Sequence, residues 1–367
     1  MIQTGIQSSH QKSNLTNLIH REIIMNMLAK FGCAGVMALS FAGAVQAEGA
    51  LNLYNWGDYI NPGILKKFTE ETGIEVNLDT YSSNEEMLAK LQAGATGYDI
   101  VFPSVHMQDI MSKLDLLLQT DINQSAGFAN IDPLSLRAKS DPEGVFCLPY
   151  AFGTVGIYYK PEITGEITGW DDFFAIPEKT GGRITLLDDM REVLAIGHVM
   201  NGTSVNSVDP AEITAAQDYI LKQRPNVSAF TYDVPGLIAT DDIAAAQYFI
   251  GMHVLTSNME NVNYVIPKEG GTLYQENVCV LKSAPNAENA KAFMEFYLRP
   301  EIAAMNVEQQ FNGTPNIPAR DLASDYIRNN TNITLPDETY ERLQTFEDLG
   351  RGLRLYDRAW NTIRTAQ

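Results

Sequence analysis

Apolar and polar positions after residue 50 form segments that switch between the period of a strand and that of a helix. Mostly apolar runs at 51–54 and 98–102, and an alternating run at 74–78, predict three strands. Between them, apolar residues spaced three or four apart predict helices, the first beginning at Pro62 and ending at Gly73. This strand–helix order predicts an α/β fold with a mainly parallel sheet and helices on both faces.

The rest of the chain shows the same two patterns around a loop-like stretch at 118–144. Extended runs at 145–150 and 155–159 lead into a second part, where a strand at 183–187 is followed at once by an apolar helix. Further strands are predicted at 244–251, 262–266 and 278–281, and further helices at 83–94 (opening on a Ser83–Glu86 capping box), 209–223, 287–298, from 300 and at 337–364.

The amino end has the pattern of a secretory signal peptide. Lys30 supplies positive charge, residues 31–44 are apolar, and residues 45–47 place small side chains where a signal peptidase cleaves. Residues 1–47 are therefore predicted to be a signal peptide with an over-long start. Because no later apolar run reaches the roughly 18–20 residues that span a bilayer, we expect a soluble periplasmic protein.

Composition narrows the class of partner. The chain has 367 residues, a formal net charge of −19 and 45% hydrophobic residues, which suits about two globular domains. The acidic balance argues against nucleic acid and anionic membranes, because both require basic patches. Cys147 and Cys279 follow the predicted signal peptide, and their separation leaves open whether they pair.

The first candidate site follows the first predicted strand. Trp56, Asp58 and Tyr59 lie between that strand and the first helix, a position where α/β sheets bind ligands. An aromatic ring beside a carboxylate suits a cation with an apolar chain. Ser104 follows another strand and should open onto the same crevice. The alternative interpretation is that the aromatics belong to the core and that Asp58 is a solvated loop acid.

Further acids occupy positions that fit the same crevice. Asp189 and Glu192 are three residues apart at a helix start and so share a face. They could equally be a helix cap that complements the helix dipole. Tyr274 and Glu276 are two residues apart, so on an extended segment their side chains point the same way. Alternatively, either is an exposed loop side chain.

Enzyme chemistry finds little support in the sequence. Three histidines follow the signal peptide, and two of them, His198 and His253, have apolar surroundings typical of core histidines. Motifs of zinc proteases, paired-cysteine sites, serine hydrolases and phosphate loops are absent, and no metal or cofactor is predicted. A carboxylate pair could serve a glycosidase, but nothing else in the sequence supports that reading.

Six ordered motifs make the chain from about Leu51 to Arg364 resemble the periplasmic polyamine-binding proteins, the spermidine/putrescine receptors of ABC importers. The motifs are Asn55-Trp56-x-Asp58-Tyr59, Tyr98-Asp99-x-Val101-x-Pro103-Ser104, Leu187-x-Asp189-x-Arg191-Glu192, Pro267-Lys268-Glu269-Gly270-Gly271, Leu298-Arg299-Pro300 with Thr314-Pro315-Asn316, and Leu355-Tyr356-Asp357.

The resemblance implies a type II two-lobe periplasmic-binding-protein fold. Each lobe would be a mainly parallel sheet flanked by helices, with crossing strands as the hinge. The implied lobes are residues 48–152 with 274–320, and residues 153–273 with 321–367.

The resemblance also implies roles for side chains. Trp56 and Tyr274 would stack on a methylene chain. The acids Asp189, Glu192 and Glu276 would bind ammonium groups. Tyr248, His106 and Asn312 stand where the family commonly has other residues, mostly aromatic. The full predicted ligand-binding set is Trp56, Asp58, Tyr59, Ser104, His106, Asp189, Glu192, Tyr232, Tyr248, Tyr274, Glu276 and Asn312.

The predicted function is binding, without chemistry or a cofactor. The chain would capture a polyamine of the putrescine/spermidine class and deliver it, as a monomer, to an ABC permease. Alternatives are a receptor of the same fold for a quaternary amine, a cationic amino-acid derivative or a sugar, and a hydrolase that uses the carboxylates.

Overall fold

The computed structural model describes residues 49–252 and 261–366, all within a compact unit spanning Ala47–Gln367. Its strands are β1 Ala50–Trp56, β2 Glu75–Tyr81, β3 Ile100–Val101, β4 Cys147–Tyr159, β5 Ile184–Leu186, β6 Val227–Phe230, β7 Ala245–Phe249, β8 Asn263–Val265, β9 Gly271–Val280 and β10 Leu343–Gln344.

The helices of the described residues lie between and after these strands. They are α1 Pro62–Thr72, α2 Asn84–Gln92, α3 Val105–Lys113, α4 Pro161–Thr164, α5 Trp170–Phe174, α6 Ile176–Thr180, α7 Met190–Met200, α8 Pro210–Gln223, α9 Val234–Ala239, α10 Ala287–Tyr297, α11 Pro300–Gln310, α12 Ile317–Leu322, α13 Asp325–Asn329, α14 Asp337–Glu341 and α15 Leu353–Thr365. Short 3₁₀ turns are Ile122–Gln124, Ala126–Asn130, Pro133–Ser135, Arg224–Asn226, Ile250–Met252 and Gly350–Gly352. No helix of this part of the chain is long and apolar enough to cross a membrane.

Local sequence signals explain the first helices. The side chain of Asn61 accepts a hydrogen bond of 2.8 Å from the Gly63 amide and so caps α1. Gly73 ends the same helix in the left-handed region, at φ 75°, which favours glycine. Ser83 caps α2 as predicted, but the Glu86 carboxylate accepts from Ser82 instead of completing the capping box.

Two long antiparallel strands join two groups of parallel strands. Strand β1 pairs in parallel with β2 and β3, and β5 pairs in parallel with β6 and β7. Between these groups, β4 and β9 pair with each other; β9 also pairs with β3 of the first group, and β4 with β7 of the second. The strand order is β2-β1-β3-β9-β4-β7-β5-β6. The polypeptide therefore crosses between the groups along β4 and β9.

Separate hydrophobic clusters support the two groups. One cluster packs β1 and α1 against α10 through Leu53, Phe68 and Phe293. A second packs α7 and α8 around residues such as Leu194 and Ile220. Each parallel group thus has a helix-covered core of its own, as expected for a sheet buried on its faces.

Cys147 and Cys279 form a disulfide between β4 and β9. The register places the two residues directly opposite each other, with their Cα atoms 4.5 Å apart. That spacing lies within the range a disulfide requires. Sequence separation could not reveal this pairing, because it depends on the register of two strands that lie far apart in the chain.

Several predicted elements need correction. The helix predicted at 337–364 is wrong, because α14 ends at Glu341, β10 follows, and the final helix begins at Leu353. The predicted runs at 145–150 and 155–159 are one continuous strand, β4. Strand β6, β10 and helix α9 have short or irregular apolar patterns and were not predicted. His198 is buried as predicted, whereas His253 and the predicted signal peptide lie outside the described residues.

Candidate functional site

Strand β9 presents three polar side chains on one face. Thr272, Tyr274 and Glu276 alternate along the strand, so they point the same way. Opposite Tyr274 on β4 stands Gly153, where a Cβ atom would lie 2.3 Å from the tyrosine hydroxyl. The missing side chain therefore leaves the space that the Tyr274 ring occupies.

Glu276 accepts hydrogen bonds from two hydroxyl groups of the β1–β3 region. The Tyr59 hydroxyl donates at 2.7 Å to one carboxyl oxygen, and Ser104 Oγ donates at 3.3 Å to the other. Only 5% of Glu276 is exposed. Removal from water raises the pKa of Glu276 from 4.5 to about 7, although the hydrogen bonds from Tyr59 and Ser104 lower it.

Asn312 links the two tyrosines of this cluster. Its amide nitrogen donates to the Tyr59 hydroxyl at 2.9 Å, and its amide oxygen accepts from the Tyr274 hydroxyl at 2.9 Å. Asn84, which the sequence did not single out, donates at 3.0 Å to Ser104 Oγ. Five predicted residues thus come together in one hydrogen-bonded cluster: Tyr59, Ser104, Tyr274, Glu276 and Asn312.

Trp56 lies beside this cluster, and Asp58 does not join it. The indole of Trp56 donates at 2.8 Å to the carbonyl oxygen of Phe102, and its ring lies 4.7 Å from that of Tyr81. The same carbonyl accepts from the Tyr81 hydroxyl at 2.7 Å. Asp58 is exposed and has no hydrogen bond or ion pair to any described residue.

Asp189 combines a helix cap with a site contact. One carboxylate oxygen accepts from the backbone amides of Arg191 and Glu192, at 2.8 and 3.0 Å, and so caps α7. The other oxygen accepts from the Tyr232 hydroxyl at 3.2 Å. The capping interpretation is therefore correct, and it leaves one oxygen directed away from the helix.

Glu192 does not cap the helix but contacts β9. Its Oε2 accepts a hydrogen bond of 2.6 Å from Thr272 Oγ1, and 4% of the residue is exposed. Removal from water, followed by the negative charge of Asp189, raises the pKa of Glu192 from 4.5 to about 8. Gln247 on β7 donates at 3.0 Å to the Glu192 carbonyl oxygen and holds this turn of α7 against the sheet.

Aromatic rings connect the two clusters. Tyr248 donates at 3.0 Å to the carbonyl oxygen of Tyr232, which belongs to the Asp189 cluster. Phe249 lies 5.6 Å from the Tyr248 ring and 5.4 Å from the Tyr274 ring. The aromatic chain therefore runs from the acids of α7 to the face of β9.

His106 is electrostatically coupled to the α7 end of the site. Removal from water and, to a smaller extent, the positive charge of Arg191 lower the pKa of His106 to about 4, although Asp348 and Asp109 oppose the shift. The imidazole is therefore uncharged at pH 7.

Three residues of the site were not predicted from the sequence: Thr272, Asn84 and Gln247. Only Thr272 carried a signal in the sequence, because it alternates with Tyr274 and Glu276 along β9.

The three acids of the site lack a protein cation. Within residues 49–252 and 261–366, Asp189, Glu192 and Glu276 accept hydrogen bonds but form no salt bridge with lysine or arginine. Arg191 instead donates to Asn206 at 2.8 Å. The same residues contain no group of three or more metal-ligating side chains that could hold a metal ion. The site therefore holds three carboxyl groups that no lysine or arginine of the described residues pairs with.

The spacing along β9 defines the length of the site. Thr272, which contacts Glu192, and Glu276 are four residues apart, which corresponds to about 13 Å along a strand. Acids therefore stand at both ends of a polar and aromatic face, with Tyr274 between them. This arrangement suits an elongated ligand with positive charges separated by apolar links.

These features define an α/β binding protein in which two crossing strands join two sheet regions around one internal site. The chain belongs to the bacterial extracellular solute-binding protein family, whose sequence pattern matches residues 63–334. The relatives described next are binding proteins rather than enzymes, and this chain is likewise a solute-binding protein.

Individual relatives match over most of their length. The chain is 33% identical to the spermidine/putrescine-binding periplasmic protein of Escherichia coli (strain K12) over 344 residues, 91% of this chain and 97% of the relative. It is 34% identical to the putrescine-binding periplasmic protein SpuD of Pseudomonas aeruginosa (strain UCBPP-PA14), over 93% of this chain and 100% of the relative.

Solved structures confirm the fold class. The spermidine/putrescine ABC transporter substrate-binding protein PotD from Streptococcus pneumoniae matches with a TM-score of 0.80 and 34% identity, covering 87% of this chain and 99% of that one. The two-lobe α/β fold and the resemblance to polyamine-binding proteins are therefore confirmed. The roles of the individual site residues stay predictions.

Proposed function

We propose that the chain is a periplasmic receptor that binds a polyamine and delivers it to the permease of an ABC importer. The observation that carries this proposal is the set of three acids without a protein cation: Asp189, Glu192 and Glu276. Buried carboxyl groups are costly unless a cation pairs with them or they take up protons. A polyamine would supply several cations at once.

The shape of the site supports a linear polyamine over other cations. Carboxyl groups lie at both ends of a face about 13 Å long, so a ligand with one charged group would satisfy one end only. Trp56 and Tyr274 are both partly exposed and would contact the methylene groups between the amines. A sugar would leave the acids without a cation.

The relatives support the same class of ligand and partner. Two of them are named for spermidine or putrescine, and the pneumococcal protein is named as a substrate-binding protein of an ABC transporter. Identity above 30% over most of both chains makes a shared ligand class the simplest inference. The permease of such an importer is the membrane partner that we propose.

The domain division and the location form part of this proposal. The lobes would be residues 48–152 with 274–320 and residues 153–273 with 321–367, with β4 and β9 crossing between them. Residues 1–47 would be the signal peptide that directs the chain to the periplasm. The receptor would act as a monomer that closes on its ligand like a hinge.

A thermal-shift panel tests the proposed ligand class. Purified protein freed of endogenous amines is heated with putrescine, spermidine, spermine, choline, lysine or maltose. At about 100 times the dissociation constant, a true ligand adds about 2.7 kcal/mol of stability, a shift on the order of 5 °C. We expect that shift with a polyamine only. A shift with choline, lysine or maltose alone would reassign the ligand, and no shift with any amine would refute the proposal.

A further inference from the structure

Thr272 makes a contact across the junction between β9 and α7. Its hydroxyl donates a 2.6 Å hydrogen bond to Glu192 Oε2, and the two residues are only 3% and 4% exposed. No other described side chain donates a hydrogen bond to this carboxyl group. The hydroxyl of Thr272 therefore decides where the Glu192 carboxyl points.

The surroundings of Glu192 otherwise oppose its negative charge. The charged and titratable groups that face it are Asp189 and Arg191 on α7, Tyr232, and Tyr264. Arg191 attracts it from a distance but directs its hydrogen bonds elsewhere, to Asn206 at 2.8 Å and Val205 at 3.3 Å. The hydrogen bond from Thr272 is therefore the direct contact that stabilises the ionised carboxylate.

We propose that Thr272 is a positioning residue, which aims the Glu192 carboxyl at the ligand and favours the ionised form that an ammonium group requires. The proposal rests on the proposed function for its ligand, but not for its effect on Glu192. Because Thr272 shares a face of β9 with Tyr274 and Glu276, it also ties the acid of α7 to the strand that carries the opposite acid. The two ends of the site thereby keep a fixed separation.

Three variants isolate the hydroxyl group. Thr272→Val keeps a β-branched side chain of similar size and removes the donor, whereas Thr272→Ser keeps the donor. The matched control is Thr185→Val, because Thr185 is a buried threonine on β5 whose hydroxyl has no hydrogen-bond partner among the described residues. Thermal unfolding of each variant verifies that it is folded before binding is measured.

Calorimetry with spermidine at pH 7 and pH 9 gives the first readout. At pH 7, Thr272→Val should weaken binding by about 10- to 100-fold, the effect of losing a hydrogen bond to a charged group. The loss should shrink at pH 9, where a larger fraction of Glu192 is ionised in the variant as well. Thr272→Ser and Thr185→Val should stay within about threefold of wild type. An unchanged affinity of Thr272→Val, or an equal loss at both pH values, would overturn the proposal.

The titration of Glu192 in the ligand-free protein gives a second readout that does not depend on the ligand. Carbon-13 NMR of the carboxyl group should give a higher pKa in Thr272→Val than in wild type, with Thr272→Ser close to wild type. The same pKa in Thr272→Val and wild type would overturn the proposal. If the shift appears while wild type binds no polyamine, the role of Thr272 stands and the proposed function is rejected.

Discussion

Asp189 uses its two carboxylate oxygens for different tasks. One oxygen caps α7, as one interpretation of the Asp-x-x-Glu pattern predicted, and the other accepts from the Tyr232 hydroxyl. The ligand-binding interpretation stays a prediction. The sequence could predict that Asp189 and Glu192 share a helix face, because that follows from helical spacing. It could not predict the contact of Glu192 with Thr272, because that contact depends on how α7 packs on a distant strand.

Replacing Asp189 by asparagine should separate its two tasks. Asparagine caps helices about as well as aspartate, so thermal stability should change little, while polyamine affinity should fall at least tenfold because a negative charge is lost. Calorimetry with spermidine measures the affinity. Asp209→Asn is the matched control, since Asp209 caps α8 through a 2.8 Å hydrogen bond to the Ala211 amide and lies outside the site. Equal affinities of wild type and Asp189→Asn would remove this acid from the site.

The two buried glutamates should make both stability and binding depend on pH. Their folded pKa values, about 8 for Glu192 and about 7 for Glu276, exceed the ordinary value of 4.5. Through these two groups the ligand-free protein holds more protons than the unfolded chain. Below about pH 6.5 this excess of protons is offset by His106 and His198, whose pKa values of about 4 in the folded protein mean that the unfolded chain binds protons there first. Between pH 6.5 and pH 8 the glutamates dominate, so the free energy of unfolding of the ligand-free protein should fall as pH rises. Denaturant unfolding across this range measures the effect. A stability that rises through the same window would contradict the assigned burial.

A cationic ligand reverses this balance, because it favours the ionised carboxyl groups. Binding should therefore release protons at pH 6 to 7, and affinity should increase towards pH 8. Calorimetry in buffers of different ionisation enthalpy counts the released protons. An affinity that is constant from pH 6 to pH 9 would show that neither glutamate ionises on binding.

At the scale of elements, β4 and β9 organise the site. Strand periodicity predicted that Tyr274 and Glu276 share a face, and the structure confirms it. The runs predicted at 145–150 and 155–159 leave Gly153 outside both, whereas it lies inside the continuous strand β4. Its physical role is to leave room for the Tyr274 ring, which only the cross-strand register reveals.

Gly153→Ala should damage this region of the site. The new Cβ would lie 2.3 Å from the Tyr274 hydroxyl and 2.7 Å from Ile250 Cγ2, so the ring must move. We expect a loss of about 1–3 kcal/mol in the free energy of unfolding and weaker polyamine binding. In a Tyr274→Leu background the same change should cost less stability. Equal costs in both backgrounds would mean that the tyrosine ring is not what the glycine accommodates.

The disulfide should stabilise the fold without acting on the ligand. Cys147 and Cys279 are 132 positions apart in the sequence, and they pack with Tyr54 and Val101 in a hydrophobic cluster. Replacing both cysteines by alanine should lower the free energy of unfolding by about 2–5 kcal/mol. Spermidine affinity of the folded variant should stay within about twofold of wild type. A large loss of affinity at unchanged stability would contradict this division.

At the scale of the whole molecule, the alternation of strands and helices predicted the α/β class, and the ordered motifs predicted the two-lobe fold. The connection between the sheet regions was beyond pattern reasoning, because an apolar run such as β4 does not state which strands it pairs with. The last part of the chain was mispredicted for a related reason. Strand β10 has two residues and forms only through its pairing with β9.

Acids from α7 and from β9 stand at opposite ends of one face, and the proposed function requires a single ligand to reach both. A crystal structure of the protein with spermidine tests this most directly. We predict ammonium nitrogens within about 3.5 Å of carboxyl oxygens of Glu192 and Glu276, with the methylene chain against Tyr274. Spermidine bound elsewhere, or with its amines away from both acids, would contradict the account.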